Sequence, residues 1–271
     1  MPRVMPGALV KNLNCKLFLI LSLCFWGAGC VTTTDSPFGA KEDKEKAVIS
    51  NIQLGLAYIE RNNMERARKK LNRALELDPN SAGAHAALGL VYQKEGETAI
   101  AERQFVKSLK LDPSFTRGRT YYAAFLYAQG RFQEAFNEFE VASKDTEFPS
   151  RSQVFSNMGL CAIKLGEEAV ALKAYEKSLL LDAQQPDMLI SVVQIHVKQK
   201  NFGSAQNYFN QFLRMVGNLP GVTHSPLSLY LGIQIADYYG NLPLKNSYAD
   251  LLRALYPESS EYQSYKVLKN D

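Results

Sequence analysis

The chain has 271 residues, 46% hydrophobic and 21% charged, with 17 Gly, 11 Pro and a formal net charge of +4. That composition excludes a disordered, collagen-like or multi-span membrane protein and suits one large domain or two small ones. The basic balance gives no argument for nucleic acid, because it is lodged largely in a short N-terminal stretch.

That stretch holds Arg3, Lys11 and Lys16 and no acidic residue before Asp35. An apolar run, "LFLILSLCFW" (17–26), follows at signal-peptide length and is too short to span a membrane. It ends in "GAGC", where Gly27, Ala28 and Gly29 precede Cys30. Here the sequence resembles a bacterial lipoprotein signal, departing from the usual pattern at Gly27, where Leu is common. The alternative is a plain secreted or merely anchored N-terminus. The resemblance implies cleavage after residue 29 and acylation of Cys30. Loss of the three cations would bring the net charge to +1. Cys15 and Cys24 would go with them, leaving Cys161 as the one free thiol and no disulfide to build. The absence of Asp after Cys30 (Val31 and Thr32 follow) implies the outer rather than the inner membrane. Residues 30–47 read as the lipidated cysteine and a polar tether, "VTTTDSPFGAKEDKEK" at 31–46, spanning about 20–25 Å if flexible.

From residue 48 to 271 the chain repeats itself. "RALELDPN" (73–80) returns 34 positions later as "KSLKLDPS" (107–114), and again, blurred, as "KSLLLDAQ" (177–184). Leu54-Gly55, Tyr58, Ala67, Leu71, Ala74 and Pro79 align with Leu88-Gly89, Tyr92, Ala101, Phe105, Ser108 and Pro113. A third set runs Tyr122-Ala123, Gly130, Ala135, Phe139, Ala142, and after a two-residue slip a fourth runs Met158-Gly159, Gly166, Ala171, Tyr175, Ser178. This resembles the tetratricopeptide repeat, a helical hairpin of the same period. The glycine after Leu removes a side chain so that the second helix approaches closely at Ala67 or Ala101. Gly96, Gly130 and Gly166 fall where the first helix must stop in a left-handed cap. Asp78-Pro79 and Asp112-Pro113 end the second helix.

Two further units are degenerate. Residues 186–219 keep Ala205 and Phe209 but place Val192-Val193 where Leu-Gly belongs and Lys200 where Gly belongs. "VGNLPGVTHSP" (216–226) then interrupts the period, and a sixth unit covers roughly 226–259, with Gly240 as its turn and Pro257 as its stop. "SEYQSYKVLKND" reads as a helix capping the last repeat. The predicted fold is all-α: a right-handed superhelical solenoid of about six repeats, the fifth and sixth degenerate.

No phosphate-cradling loop, dinucleotide fingerprint or nucleophile elbow is present, and His85, His196 and His224 share no metal-ligand spacing. His85 and His196 fall on helix positions that pack between helices, and Cys161 on one that suits a small buried hydrophobe. The carboxylates are spread along solvated faces. No cofactor, metal, nucleic-acid or small-molecule partner is expected, and the chain reads as a scaffold rather than an enzyme.

A helical-repeat stack offers a concave groove lined by the first helix of each unit. The repeat pattern puts Ile49, Ile52, Leu56 and Ile59 there in repeat one, with Leu54, Ala57 and Tyr58 on the packing side. Either the tether or a neighbouring helix covers Ile52 and Leu56, or a partner segment does. Repeat two would present Leu90, Gln93 and Lys94; repeat three Arg117, Tyr121, Ala124 and Tyr127; repeat four Asn157, Leu160 and Lys164. Tyr and Arg are the residue types that carry much of the binding energy at protein interfaces.

The order of lipoprotein signal, short tether and repeats filling the rest resembles the type IV pilus biogenesis and stability lipoproteins, the PilF/PilW-type pilotins. The phrases that carry it are "NIQLGLAYIERNNMERARKKLNRALELDPNSAGAHAALGLVYQKEGE" (51–97), "AFNEFEVA" (135–142) and "YADLLRALYPESSEY" (248–262). The resemblance covers residues 30 to about 262. It implies an outer-membrane lipoprotein facing the periplasm that binds the pilus secretin and promotes its localisation and multimerisation. A general periplasmic adaptor, tethering peptidoglycan enzymes or other envelope proteins, is the alternative.

Overall fold

The computed structural model describes residues 37–270, all of its regular elements being helices. They run α1 (Pro37–Glu60), α2 (Met64–Leu77), α3 (Ala82–Lys94), α4 (Thr98–Leu111), α5 (Thr116–Ala128), α6 (Phe132–Ser143) and α7 (Arg151–Leu165). The second half continues with α8 (Glu168–Leu181), α9 (Pro186–Lys198), α10 (Phe202–Asn218), α11 (Pro226–Tyr238), α12 (Leu242–Leu255) and α13 (Ser260–Asn270). By contacts the chain divides after Lys46. Residues 37–46, part of the expected tether, have helical rather than extended backbone. Their charges stand four apart and pair, Lys46 with Glu42 at 2.7 Å and Lys41 with Glu45 at 4.0 Å, which favours helix. The signal segment and Cys30 lie outside the described residues.

Residues 47–270 form the repeat unit, a tetratricopeptide solenoid of six helical hairpins closed by α13. Each hairpin turns by the same device. A residue of positive φ stops the first helix, and the next N–H reaches back to the carbonyl five residues before it. Glycine serves at Gly96, Gly130, Gly166 and Gly240, with φ of 81°, 76°, 79° and 67°. Repeats one and five use Asn62 (φ 55°) and Lys200 (φ 57°) instead. The closing bonds are alike throughout, from Asn63 N–H to the Tyr58 carbonyl (2.8 Å) to Asn241 N–H to the Ala236 carbonyl (2.9 Å).

The second helix ends at the expected aspartates. The carboxylates of Asp78, Asp112 and Asp182 accept the N–H two residues on, at 3.0, 2.9 and 2.9 Å, so the turn forms even where Ala183 replaces proline. The glycine after Leu opens space on the second helix, where Ala67 and Ala101 are fully buried, and that space is filled by a large side chain. A Cβ on Gly55 or Gly89 would stand 2.6 Å from Leu71 or Phe105, one turn further along the second helix. Phe105 is fully buried, and its loss to alanine would cost about 3–5 kcal/mol.

The core passes from repeat to repeat. Leu71, Leu88 and Val91 join repeats one and two; Phe105, Phe125 and Phe139 carry it to repeat four; Tyr175, Phe209 and Leu252 extend it to six. Val192 and Val193, in the degenerate Leu-Gly position, are wholly buried. The interrupting loop is held down where the Tyr256 hydroxyl donates to the His224 carbonyl at 2.6 Å. α13 packs on α11 and α12, laying Tyr262 and Tyr265 against the last core cluster, as a cap should.

Candidate functional site: the inner wall of repeats two to four

Three pairs of successive first helices touch, α3 with α5, α5 with α7 and α9 with α11, while the second helices pack mainly on first helices. The first helices therefore form the inner wall, and their side chains one turn apart share a face. On that wall α5, α7 and the link between α6 and α7 enclose a cavity of ≈380 Å³. Four residues expected in the groove come together there: Arg117, Tyr121 and Ala124 on α5, and Asn157 on α7. Repeat spacing did not point to Thr120, Phe148, Ser150, Gln153 or Val154, which complete the lining. Gln153 was within reach, since it lies one turn before Asn157; its side-chain amide donates to Asn157 Oδ1 at 3.1 Å. Phe148 sits in the lengthened link, where the repeat template assigns no positions.

Arg117 is exposed and Tyr121 half-buried. Burial raises the Tyr121 phenol above its usual value; the Arg117 charge works against that and Glu60, from repeat one, adds to it. The site thus presents an apolar hollow, an uncharged phenol and an amide pair, with one guanidinium at its edge. Such a lining offers apolar contact, hydrogen bonding and one positive charge.

The remaining expected residues are placed differently. Tyr127 packs edge-on to Phe132 at 5.2 Å, over the turn into α6 rather than in the cavity. Lys94 and Lys164 are exposed at the ends of their helices, Leu160 is exposed on the wall, and Leu90 and Gln93 are half-buried. In repeat one, Ile52, Leu56 and Ile59 are half-buried against the cluster of Leu71, Leu88 and Val91. Ile49 remains 54% exposed and Leu54, expected on the packing side, 43% exposed. Leu88, the counterpart of Leu54, is buried; no earlier repeat stands among the described residues to cover Leu54 in the same way.

His85 is a core histidine with both ring nitrogens engaged, Nδ1 with the Gln104 side chain (2.7 Å) and Nε2 with the Pro79 carbonyl (3.2 Å). His196 is buried with neither nitrogen partnered and stacks on Tyr208 at 5.6 Å. Cys161 is buried, and burial pushes its thiol up to about 11. A second cavity, ≈600 Å³, lies beside the interrupting loop, between Asp187, Phe212, His224 and Tyr256.

Comparison with known proteins agrees with this architecture. Residues 55–96 match the family described as TPR repeat, and 86–151 and 152–185 match families described as tetratricopeptide repeat. The chain is 36% identical over 252 residues to the type IV pilus assembly protein PilF of Pseudomonas aeruginosa, covering 93% of this chain and 98% of that one. The solved structure of Pseudomonas aeruginosa PilF superposes with a TM-score of 0.74 at 37% identity, over 83% of this chain and 99% of that one. PilW, described as a widely conserved type IV pilus biogenesis factor, shares the fold with a TM-score of 0.63 at 24% identity, over 80% of this chain and 97% of that one.

Proposed function

The chain belongs to the family of the type IV pilus assembly protein PilF, and from that premise we propose that it is a pilus-assembly scaffold. In this reading it is an outer-membrane lipoprotein that holds a segment of the pilus secretin on its inner wall and promotes the secretin's localisation and multimerisation. The observation that carries the reading is likeness to PilF along nearly the whole of both chains, joined to a groove whose cavity gathers Arg117, Tyr121 and Asn157.

The parts divide the work. The solenoid supplies a preformed wall, so the partner bears most of the ordering cost on binding. The acylated Cys30 supplies retention: more than one acyl chain anchors firmly where a single chain would not. No helix among the described residues is long and apolar enough to cross a membrane, and attachment in this reading rests on that cysteine. Anchoring also confines the groove near the bilayer, raising its effective concentration for a membrane-bound partner.

The test is to delete the protein and follow the secretin in outer-membrane fractions. Loss of its high-mass multimer, restored by the wild type and not by Cys30→Ala, is the expected result. An unchanged multimer in the correct membrane would discard the role and leave a general periplasmic adaptor.

A further inference from the structure

The inner wall is one-sided in charge. The first helices of repeats two, three and four read "AGAHAALGLVYQK", "TRGRTYYAAFLYA" and "RSQVFSNMGLCAIKL", without one Asp or Glu. They carry Lys94, Arg117, Arg119, Arg151 and Lys164. The second helices behind them are mixed: Glu102 on α4 and Glu168 and Glu176 on α8 stand among Arg103, Lys107, Lys110, Lys173 and Lys177, while α6 holds Glu134, Glu138 and Glu140 without a cation.

Two of the five cations are occupied. Arg119 pairs with Glu138 and donates to the Pro113 carbonyl at 2.7 Å. Arg151 donates to the Ser143 carbonyl at 2.8 Å and lies over the Phe155 ring. Lys94, Arg117 and Lys164 make no ion pair among the described residues. Glu60, from repeat one, is the carboxylate close enough to act on Tyr121.

Resting on the groove reading above, we infer that the segment received by repeats two to four is an acidic peptide. One of its apolar side chains enters the cavity beside Tyr121, Ala124, Phe148 and Val154, and a neighbouring carboxylate meets Arg117. Guanidinium and carboxylate match in geometry, and the pair gains strength beside an apolar wall where water is reduced. Lys94 and Lys164, in the flanking repeats, attract acidic residues on either side at longer range and steer the encounter. The hollow between the cations favours a polypeptide over nucleic acid. A phosphate backbone would need a denser row of cations, and its bases would need exposed aromatic faces to stack on.

The experiment measures binding of fluorescent peptides to the full lipoprotein in detergent. The probes are a short Glu/Asp peptide with one central Phe, its Gln/Asn counterpart, its Lys counterpart and a single-stranded oligonucleotide. The variants are Arg117→Glu and, as a charge-matched control on the outer helix α12, Arg253→Glu. Arg117 is exposed, and an unchanged helical spectrum and melting midpoint would verify that its variant folds. The acidic peptide should bind the wild type and the control equally and Arg117→Glu about tenfold more weakly, and binding should weaken as salt rises. Equal binding of the neutral peptide, indifference to Arg117→Glu, or preference for the oligonucleotide would overturn the inference. Secretin capture by the same proteins separates the two proposals. Capture that survives Arg117→Glu leaves the pilus reading and removes the acidic segment. No capture by the wild type, with the acidic peptide still bound, does the reverse.

Discussion

The ring of Tyr175 stands where a side chain on Gly159 would begin: a Cβ there would lie 2.2 Å from Tyr175 Cε1. Tyr175 is fully buried and cannot swing out without emptying the core of repeat four. Gly159→Ala should therefore destabilise the domain by about 1–3 kcal/mol through overpacking. In a Tyr175→Leu background the same alanine should cost less than half as much, because the contested space is free. Denaturant midpoints of the four proteins in the cycle measure this, and additive losses would mean the two residues do not compete.

Acid should weaken the fold through two imidazoles, the buried His196 and the half-buried His224. Burial lowers the pKa of both His196 and His224 below the ordinary histidine value, with Glu176 partly opposing the shift at His196. A depressed histidine binds its proton more readily in the unfolded chain. Its share of stability is therefore complete above about pH 6.5 and is lost as pH falls toward the folded value, by at most about 1.4 kcal/mol per pH unit for each group. Melting midpoints from about pH 7.5 to 5 should fall for the wild type and fall less for His196→Leu. Identical slopes would show that His196 does not titrate in this range.

The thiol of Cys161 should be inert while the protein is folded. It is buried, and its pKa is pushed up to about 11, so both access and thiolate fraction are small. Iodoacetamide at about pH 8 should modify it at least ~100-fold more slowly in the native protein than in denaturant. Fast native labelling, read by intact mass, would give Cys161 a reactivity that its surroundings do not explain.

The terminal helix should be needed for stability rather than for binding. Removing residues 260–271 would uncover the face on which Tyr262 and Tyr265 rest. The expected cost is about 2 kcal/mol or more, read as a lower denaturant midpoint. Binding at the inner wall of repeats two to four should persist at temperatures where the shortened protein is folded.

Most of the fold could be read from the chain because each repeat restates a local rule. Leu-Gly, the small residue opposite and the Asp stop act within a few residues of themselves, and α13 followed from the need to cover the last apolar face. What escaped depended on neighbours. Asn62 and Lys200 adopt positive φ although neither is glycine, because the closing hydrogen bond of the hairpin compensates the local strain. Leu54 matches Leu88 in sequence but not in burial, since a repeat pattern cannot say whether another repeat stands in front of it. The groove was half legible. Helical register placed Arg117, Tyr121, Ala124 and Asn157 on one wall, whereas Phe148 joins them from the long link between α6 and α7, which has no register of its own. The missing acids on α3, α5 and α7 were visible as letters; they gained meaning once those helices were seen to share a surface.

Contact between successive first helices has a mechanical consequence. A wall made of neighbour-to-neighbour joints resembles a leaf spring more than a block, because among the described residues no helix of repeat two packs on one of repeat five. A slight rotation at each joint sums along the stack, so the ends can open or close while every local core keeps its packing.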